Sequence, residues 1–257
     1  MTFFEAENMT ISFGGLMALQ GVSFKIDSGQ VFSIIGPNGA GKTTIFNCIS
    51  RYYDLIEGRM LFKGNEITRA RPCMIAGHGI ARTFQNIELF KNMTVIDNII
   101  LGRHRRRKTN LFSEFVFLPS VRGQEIENRR KAEEIIEFLD LQAYRDELIS
   151  SLAYGVQKTV ELGRALAMEP ELLLLDEPSS GLNLEETEEL IYWIEDIKEE
   201  LGITIVLVEH NIRLVKEVSD QVIALNFGRM ITQGEAPTVL AHPDVIKAYL
   251  GEENAFA

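Results

Sequence analysis

The stretch V-F-S-I-I-G-P-N-G-A-G-K-T, Val31 to Thr43, decides how this chain is read. A β-like apolar run, Val31–Ile35, meets a glycine-rich turn, and a helical pattern begins near Thr43. Gly36-Pro37-Asn38-Gly39-Ala40-Gly41-Lys42-Thr43 fits the spacing G-x-x-x-x-G-K-[ST], and strand, loop and helix form the context that spacing requires. Glycines let the backbone curl so that successive N–H groups point at phosphate oxygens. The helix start adds partial positive charge. Lys42 can reach the β and γ phosphates of a nucleotide, and the Thr43 hydroxyl can bind Mg²⁺ bridging them.

Two more runs belong with this one. Leu172–Leu175 is continuous leucine and ends in Asp176-Glu177; Thr204–Val208 is nearly all apolar and ends in Glu209-His210. Continuous apolar strands suit a sheet buried on both faces. Ligands sit at strand ends in parallel α/β sheets. Asp176 suits the Mg²⁺ shell, and Glu177, one residue on, can orient and deprotonate an attacking water. His210, after a buried strand and beside an acid-bearing strand end, is placed to sense a terminal phosphate. Between the two runs Leu190, Ile194, Ile197 and Leu201 recur at helical spacing, which completes a strand–helix–strand unit.

The rest of the chain is organised around that core. Further strands are expected at Met9–Phe13, Val22–Ile26, Gln221–Leu225 and Met230–Gln233, and a closing helix at Pro243–Leu250. From about residue 86 to 168 the β signal fades, and Glu125–Leu141 reads as a charged helix with an apolar stripe through Ile135, Ile136 and Leu139. A helical lobe, residues 87–165, is therefore expected inside an α/β core of residues 1–86 and 166–257. The basic run R-H-R-R-R-K at 103–108 reads first as a solvated turn, with contact to acidic lipid headgroups or an acidic partner loop as the alternative.

Composition narrows the classes. The chain has 257 residues, 46% hydrophobic and 25% charged, with net charge −11, a globular balance that argues against a nucleic-acid binder. Two cysteines, Cys48 and Cys73, match no zinc spacing and read as buried structural residues. The N-terminus M-T-F-F-E-A-E-N carries no signal-peptide pattern, and no apolar run approaches the ~18–20 residues of a membrane span. A soluble, cytoplasmic protein is expected; if it works at a membrane, another chain must do the spanning.

Taken together these residues resemble the ATP-binding subunit of an ABC transporter. Gly36–Thr43 looks like its Walker A loop, Leu172–Glu177 its Walker B strand with the catalytic glutamate, and Thr83-Phe84-Gln85 its Q-loop. Ser179–Asn183 occupies the D-loop position and His210 that of the switch histidine. Phe13 matches the aromatic that stacks on adenine, with a core phenylalanine as the alternative because Phe3, Phe4 and Phe24 lie nearby. The resemblance implies a P-loop NTPase fold of the ABC nucleotide-binding type: a mixed sheet core, an antiparallel β region and an inserted helical lobe. It implies ATP and Mg²⁺ as cofactors. Glu177, His210 and Gln85 would be catalytic, and Thr43, Gln85 and Asp176 would surround the metal. Phe13, Gly36, Pro37, Asn38, Gly39, Ala40, Gly41, Lys42, Thr43, Thr44 and Asp176 would hold nucleotide.

In that family two cassettes form a head-to-tail dimer, with ATP between the Walker A loop of one and the signature motif of the other. The usual signature is L-S-G-G-Q; here the segment reads Leu152-Ala153-Tyr154-Gly155-Val156. The serine hydroxyl is absent, and what remains is Gly155 and the N–H groups of a helix start, which would act in the opposite protomer's site. Asn183 stands where an aspartate is usual, and with Glu186 it fits a helix capping box.

L-A-Y-G, G-L-N after D-E-P-S-S, G-I-A-R-T-F-Q-N and the tail D-V-I-K-A-Y-L-G (Asp244–Gly251) together look like the branched-chain amino-acid importer ATPases, whose relatives also handle urea, amides and other small compounds. The implied partners are membrane permease subunits, a second cassette as homo- or heterodimer, and indirectly a substrate-binding protein, at the cytoplasmic face of the inner (plasma) membrane. Two alternatives are an exporter ATPase for lipid or lipopolysaccharide and a soluble ABC ATPase acting on ribosomes or DNA. One cassette, no long heptad run and net charge −11 weigh against the latter.

Overall fold

The computed structural model describes residues 2–104 and 119–253. Two sheets organise them. The first is antiparallel, in the order β2-β1-β4-β5, from β1 (Thr2–Phe13), β2 (Leu16–Asp27), β4 (Glu57–Phe62) and β5 (Asn65–Glu66). β1 and β2 turn through Gly14 and Gly15, both at positive φ, with Phe13 paired to Leu16. That is the two-residue hairpin geometry that demands glycine. Both strands run well beyond the expected Met9–Phe13 and Val22–Ile26, because alternation continues through Phe4, Ala6 and Leu19 on the buried face.

The second sheet follows the order β10-β9-β3-β8-β7-β6. Its members are β3 (Val31–Ile35), β6 (Ile80–Arg82), β7 (Leu172–Asp176), β8 (Thr204–Val208), β9 (Gln221–Asn226) and β10 (Arg229–Gly234). All but β10 are parallel to their neighbours. β3, β7 and β8 are buried at every position, as continuous apolar runs predict. The parallel register places the ends of β3, β7 and β8 along one edge, and this edge carries the site.

Helix α1 (Lys42–Ile49) follows β3 on the side facing the antiparallel sheet, where Ile45, Phe46 and Ile49 join a core with Phe4, Phe24 and Phe32. On the other face lie α3 (Val95–Gly102), α4 (Pro119–Phe138) and α5 (Tyr154–Leu166). Val95, Ile99, Ile136 and Val160 share a cluster there with Leu173, Leu175, Ile205 and Leu207 of the sheet. α2 is a short turn at Pro72–Ile75. α6 (Leu184–Glu199) is the expected crossover between β7 and β8, with Leu190, Ile194 and Ile197 buried. Leu201 departs from the stripe: the helix ends at Glu199, the chain turns through Gly202 at positive φ, and Leu201 is half exposed. The closing helices are α7 (Ile212–Val218), α8 (Ala236–Leu240) and α9 (Pro243–Glu253). Among the described residues no helix is long and apolar enough to cross a membrane.

Two surface expectations need correction. Cys48 is buried as expected, and burial pushes its thiol up to about 12, but Cys73 is exposed on the short turn α2. Arg103, the first residue of the basic run, is buried at the end of α3. Its guanidinium donates to Asn128 Oδ1 (2.9 Å), the Ala167 carbonyl (3.3 Å) and Glu169 (2.8 Å), so it ties three elements together. His104 is exposed, and 105–108 lie outside the described residues.

Candidate functional site

The phosphate loop leaves β3 at Ile35 and closes on α1. Gly36, Gly39 and Gly41 have φ of 149°, 74° and 105°, which L side chains rarely adopt. Space forbids a side chain at two of them as well: a Cβ at Gly36 would lie 2.3 Å from the Leu225 carbonyl, and at Gly41 2.7 Å from Leu19 Cδ2. The loop is braced from outside. The Gly228 N–H donates to the Ala40 carbonyl (3.0 Å), and the Gly36 N–H donates to the Tyr249 hydroxyl (2.8 Å). Buried Lys42 donates from Nζ to the carbonyls of Gly36 (2.7 Å) and Pro37 (3.0 Å), lying across its own loop. A cavity of about 560 Å³ opens over Asn38 to Thr44, walled by Leu16, Met17 and Phe227 and reached by Glu177.

At the ends of β6, β7 and β8 the other candidates meet. Glu177 follows β7 with φ 48°, the left-handed region unusual for a non-glycine residue and frequent at active sites. Its N–H donates to the Val208 carbonyl (2.8 Å), which locks it to the end of β8. Gln85 Nε2 donates to one carboxylate oxygen (2.8 Å), and His210 Nε2 lies 2.9 Å from the other. Thus Gln85, Glu177 and His210, far apart in sequence, converge on one carboxylate at the cavity wall. Asp176 beside them is buried and accepts from Arg82 Nη2 (2.7 Å). Burial raises its pKa, and the Arg82 hydrogen bond and charge act against that rise.

Two residues that the sequence reading passed over hold this cluster. Arg82 also donates to Asn47 (2.8 Å) of α1 and to its C-cap residue Ser50 (3.2 Å), and packs over the rings of Phe46 and Phe84. It therefore links the helix after the phosphate loop to Asp176. Glu209 is buried and accepts from the backbone N–H groups of Ser179 (2.8 Å), His210 (2.9 Å) and Asn211 (3.1 Å). It staples the start of the D-loop to the start of the histidine loop. A charge ending each of two otherwise buried strands is the signal that could have found both. Tyr249 belongs to the tail that the sequence reading used only as a group mark.

Phe13 and Gly155 lie elsewhere. Phe13 is half exposed, packs edge-on against Tyr53 at 4.8 Å, and is not among the residues lining the phosphate cavity. Gly155, in the first turn of α5, faces Glu186: a Cβ there would lie 2.1 Å from Glu186 Oε1. Glu186 completes the capping box, accepting from the Asn183 N–H (2.9 Å) while Asn183 accepts from the Glu186 N–H (3.0 Å). Tyr154 lies against Gly181 of the D-loop, where a Cβ would meet its ring at 2.8 Å.

The oxygen donors available for a cation, Thr43, Asp176 and the Gln85 amide, suit Mg²⁺. This ion prefers oxygen ligands, takes one or two carboxylates such as Asp176, and completes its shell with phosphates and water. Lys42 and the glycine loop at the end of β3, with Glu177 between Gln85 and His210 at the ends of β7 and β8, define a nucleotide-hydrolysing cassette of the parallel α/β class. The ABC transporter family profile matches residues 19–180. The branched-chain amino acid transport ATP-binding protein BraF of Pseudomonas aeruginosa is 40% identical over 248 residues, 96% of this chain and 97% of its own length. LivG of Escherichia coli, of the same description, is 38% identical over 95% of this chain and 96% of its own. Among solved structures, a nucleotide-free ATP-binding cassette from an ABC transporter superposes with TM-score 0.84 at 33% identity, covering 97% of this chain and 99% of that one. An ADP-bound cassette of an ABC transporter does so with TM-score 0.84 at 31% identity, covering 98% and 99%. The chain belongs to the ABC transporter family, as one of its ATP-hydrolysing cassettes.

Proposed function

We propose that this cassette powers an importer for branched-chain amino acids or related small molecules, working on membrane permease subunits and paired with a second cassette. The likeness to BraF and LivG over nearly the whole chain supports that assignment. It would sit peripherally at the cytoplasmic face of the membrane. The reaction is ATP + H₂O to ADP + phosphate.

The loop amides of Gly36–Thr43 and Lys42 hold the phosphates, with Thr44 at the helix start and Phe13 on the adenine side. Thr43, Asp176 and Gln85 would hold Mg²⁺, which would offset the negative charge of the phosphates. Glu177 takes a proton from the attacking water as its oxygen bonds to the γ-phosphorus; the bond to the β–γ bridging oxygen breaks, and its electron pair leaves with ADP. Gln85 and His210 hold the two oxygens of that carboxylate, which fixes its direction before substrate arrives. Gly155 and the first amides of α5 act on the partner's nucleotide. The convergence of Gln85 and His210 on Glu177 at the wall of the phosphate cavity carries this reading. Glu177→Gln should lower kcat by about 10²- to 10⁴-fold with ATP binding retained. Unchanged turnover would remove Glu177 from the role of base.

A further inference from the structure

One stripe of α5 is not used by the chemistry above. Lys158, Glu161 and Arg164 follow one another at three-residue spacing on the helix that begins at Tyr154. Charged residues at that spacing normally face water, yet Lys158 is 8% and Glu161 3% exposed. A buried charge is strongly disfavoured unless it finds partners. Lys158 lies over the Tyr154 ring at 5.9 Å, and the hydrogen-bond partners of all three are main-chain atoms of a single segment. Lys158 Nζ donates to the Gln85 carbonyl (3.2 Å). Glu161 accepts from the Glu88 N–H (3.4 Å). Arg164 Nη1 donates to the Glu88 carbonyl (2.5 Å). Residues 84–88 lie outside any helix or strand, so these side chains supply bonds that a regular element would otherwise provide.

We propose that Lys158, Glu161 and Arg164 are positioning residues that fasten the Gln85–Glu88 main chain to α5 and so set where the Gln85 side chain meets Glu177. Gln85 is then held twice: its side chain on Glu177, its carbonyl on Lys158. The other end of α5 packs on the segment that follows Glu177, through Tyr154 on Gly181 and Gly155 on Glu186. Apolar side chains of the same size would pack as well, and such swaps of buried charges are often neutral or stabilising. They could not grip a carbonyl or an N–H. The inference rests on the proposed role of Gln85 and Glu177.

The test is the full-length double variant Lys158→Met/Glu161→Leu, which removes both charges without leaving one unpaired. Amide hydrogen exchange in peptides spanning 84–88 should speed up about tenfold, with the rest of the chain unchanged. kcat should fall about tenfold while ATP affinity and KM stay as in the parent, because the phosphate loop is untouched. Arg164→Lys keeps the charge and loses the planar fork; it should shift exchange and kcat in the same direction by about threefold, and it covers the case in which the double variant does not fold. Exchange at 84–88 and kcat both at parental values in a folded variant would overturn the proposal. A parent that binds ATP without hydrolysing it would instead overturn the reaction assigned above, and the exchange measurement would still judge the fastening.

Discussion

Two helices of this chain start beside glycines in motifs with similar sequence logic, and they use glycine for different reasons. At the start of α1, Gly36, Gly39 and Gly41 are chosen for conformation: all have positive φ, and Gly41 caps the helix in the left-handed region with no side chain to help. At the start of α5 the cap residue is Ala153, extended at φ −60° and ψ 154°, also with no side-chain cap bond. Gly155 there has no positive φ; it is small because the Glu186 carboxylate occupies the space of its missing Cβ. The first glycines let a backbone face a ligand. The second lets the helix after Walker B come close to the signature helix. A motif glycine therefore says little until the demand on it, torsion or space, is known.

The sharpest way to break that comparison is Gly41→Ala. The substitution places a side chain at φ 105° and within 2.8 Å of the Ala18 carbonyl, so the loop must refold to accept it. ATP affinity should fall by about a hundredfold or more, equivalent to ~2.8 kcal/mol, measured by titration calorimetry. If Gly41→Ala binds ATP like the parent, the left-handed cap is not what shapes the phosphate site.

The contrast also explains what could be read without coordinates. Val31–Thr43 and Leu172–Glu177 were legible because a buried parallel strand needs a continuous apolar run, and the chemistry sits just past its end. The Asn183–Glu186 capping box was legible because both partners lie within one helical turn. The length of β1 and β2 was not, since the buried positions Phe4, Ala6, Met9 and Ile11 slip out of period two at the bulge between Ala6 and Met9. Arg82 and Glu209 were not, because their partners arrive from distant sequence: Arg82 meets Asp176 across 94 positions. Arg103 misled for the same reason. Its place in a basic run spoke for water, and its partners Asn128 and Glu169 come from elsewhere in the chain.

A smaller effect is expected at the second helix start. Gly155→Ala sets a methyl against the Glu186 carboxylate and should cost about 1–3 kcal/mol in urea unfolding. In a chain already carrying Glu186→Ala the same change should be nearly free, because the group it collides with is gone. Residues in contact are non-additive by about 0.5–3 kcal/mol, and this pair should show that coupling. An equal cost of Gly155→Ala in both backgrounds would mean that Gly155 is held by something other than space for Glu186.

The smallest effect tests the cap itself. Ala153 already has the extended backbone that an N-cap residue adopts, and only the hydroxyl is missing. Ala153→Ser should therefore raise stability by about 1 kcal/mol, read as a higher urea midpoint at unchanged slope. The first amides of α5 carry no side-chain cap from Ala153, so a new acceptor there has donors to meet. At the start of α1 no such gain is available: Gly41 must stay glycine, and any added side chain works against the loop. A serine that stabilises α5 would thus confirm that the two helix starts differ in kind, one closed to substitution by torsion and the other merely uncapped. A midpoint that stays put would show the amides of α5 already committed, and would place Ala153 beside the glycines of the first loop as a residue fixed by its surroundings.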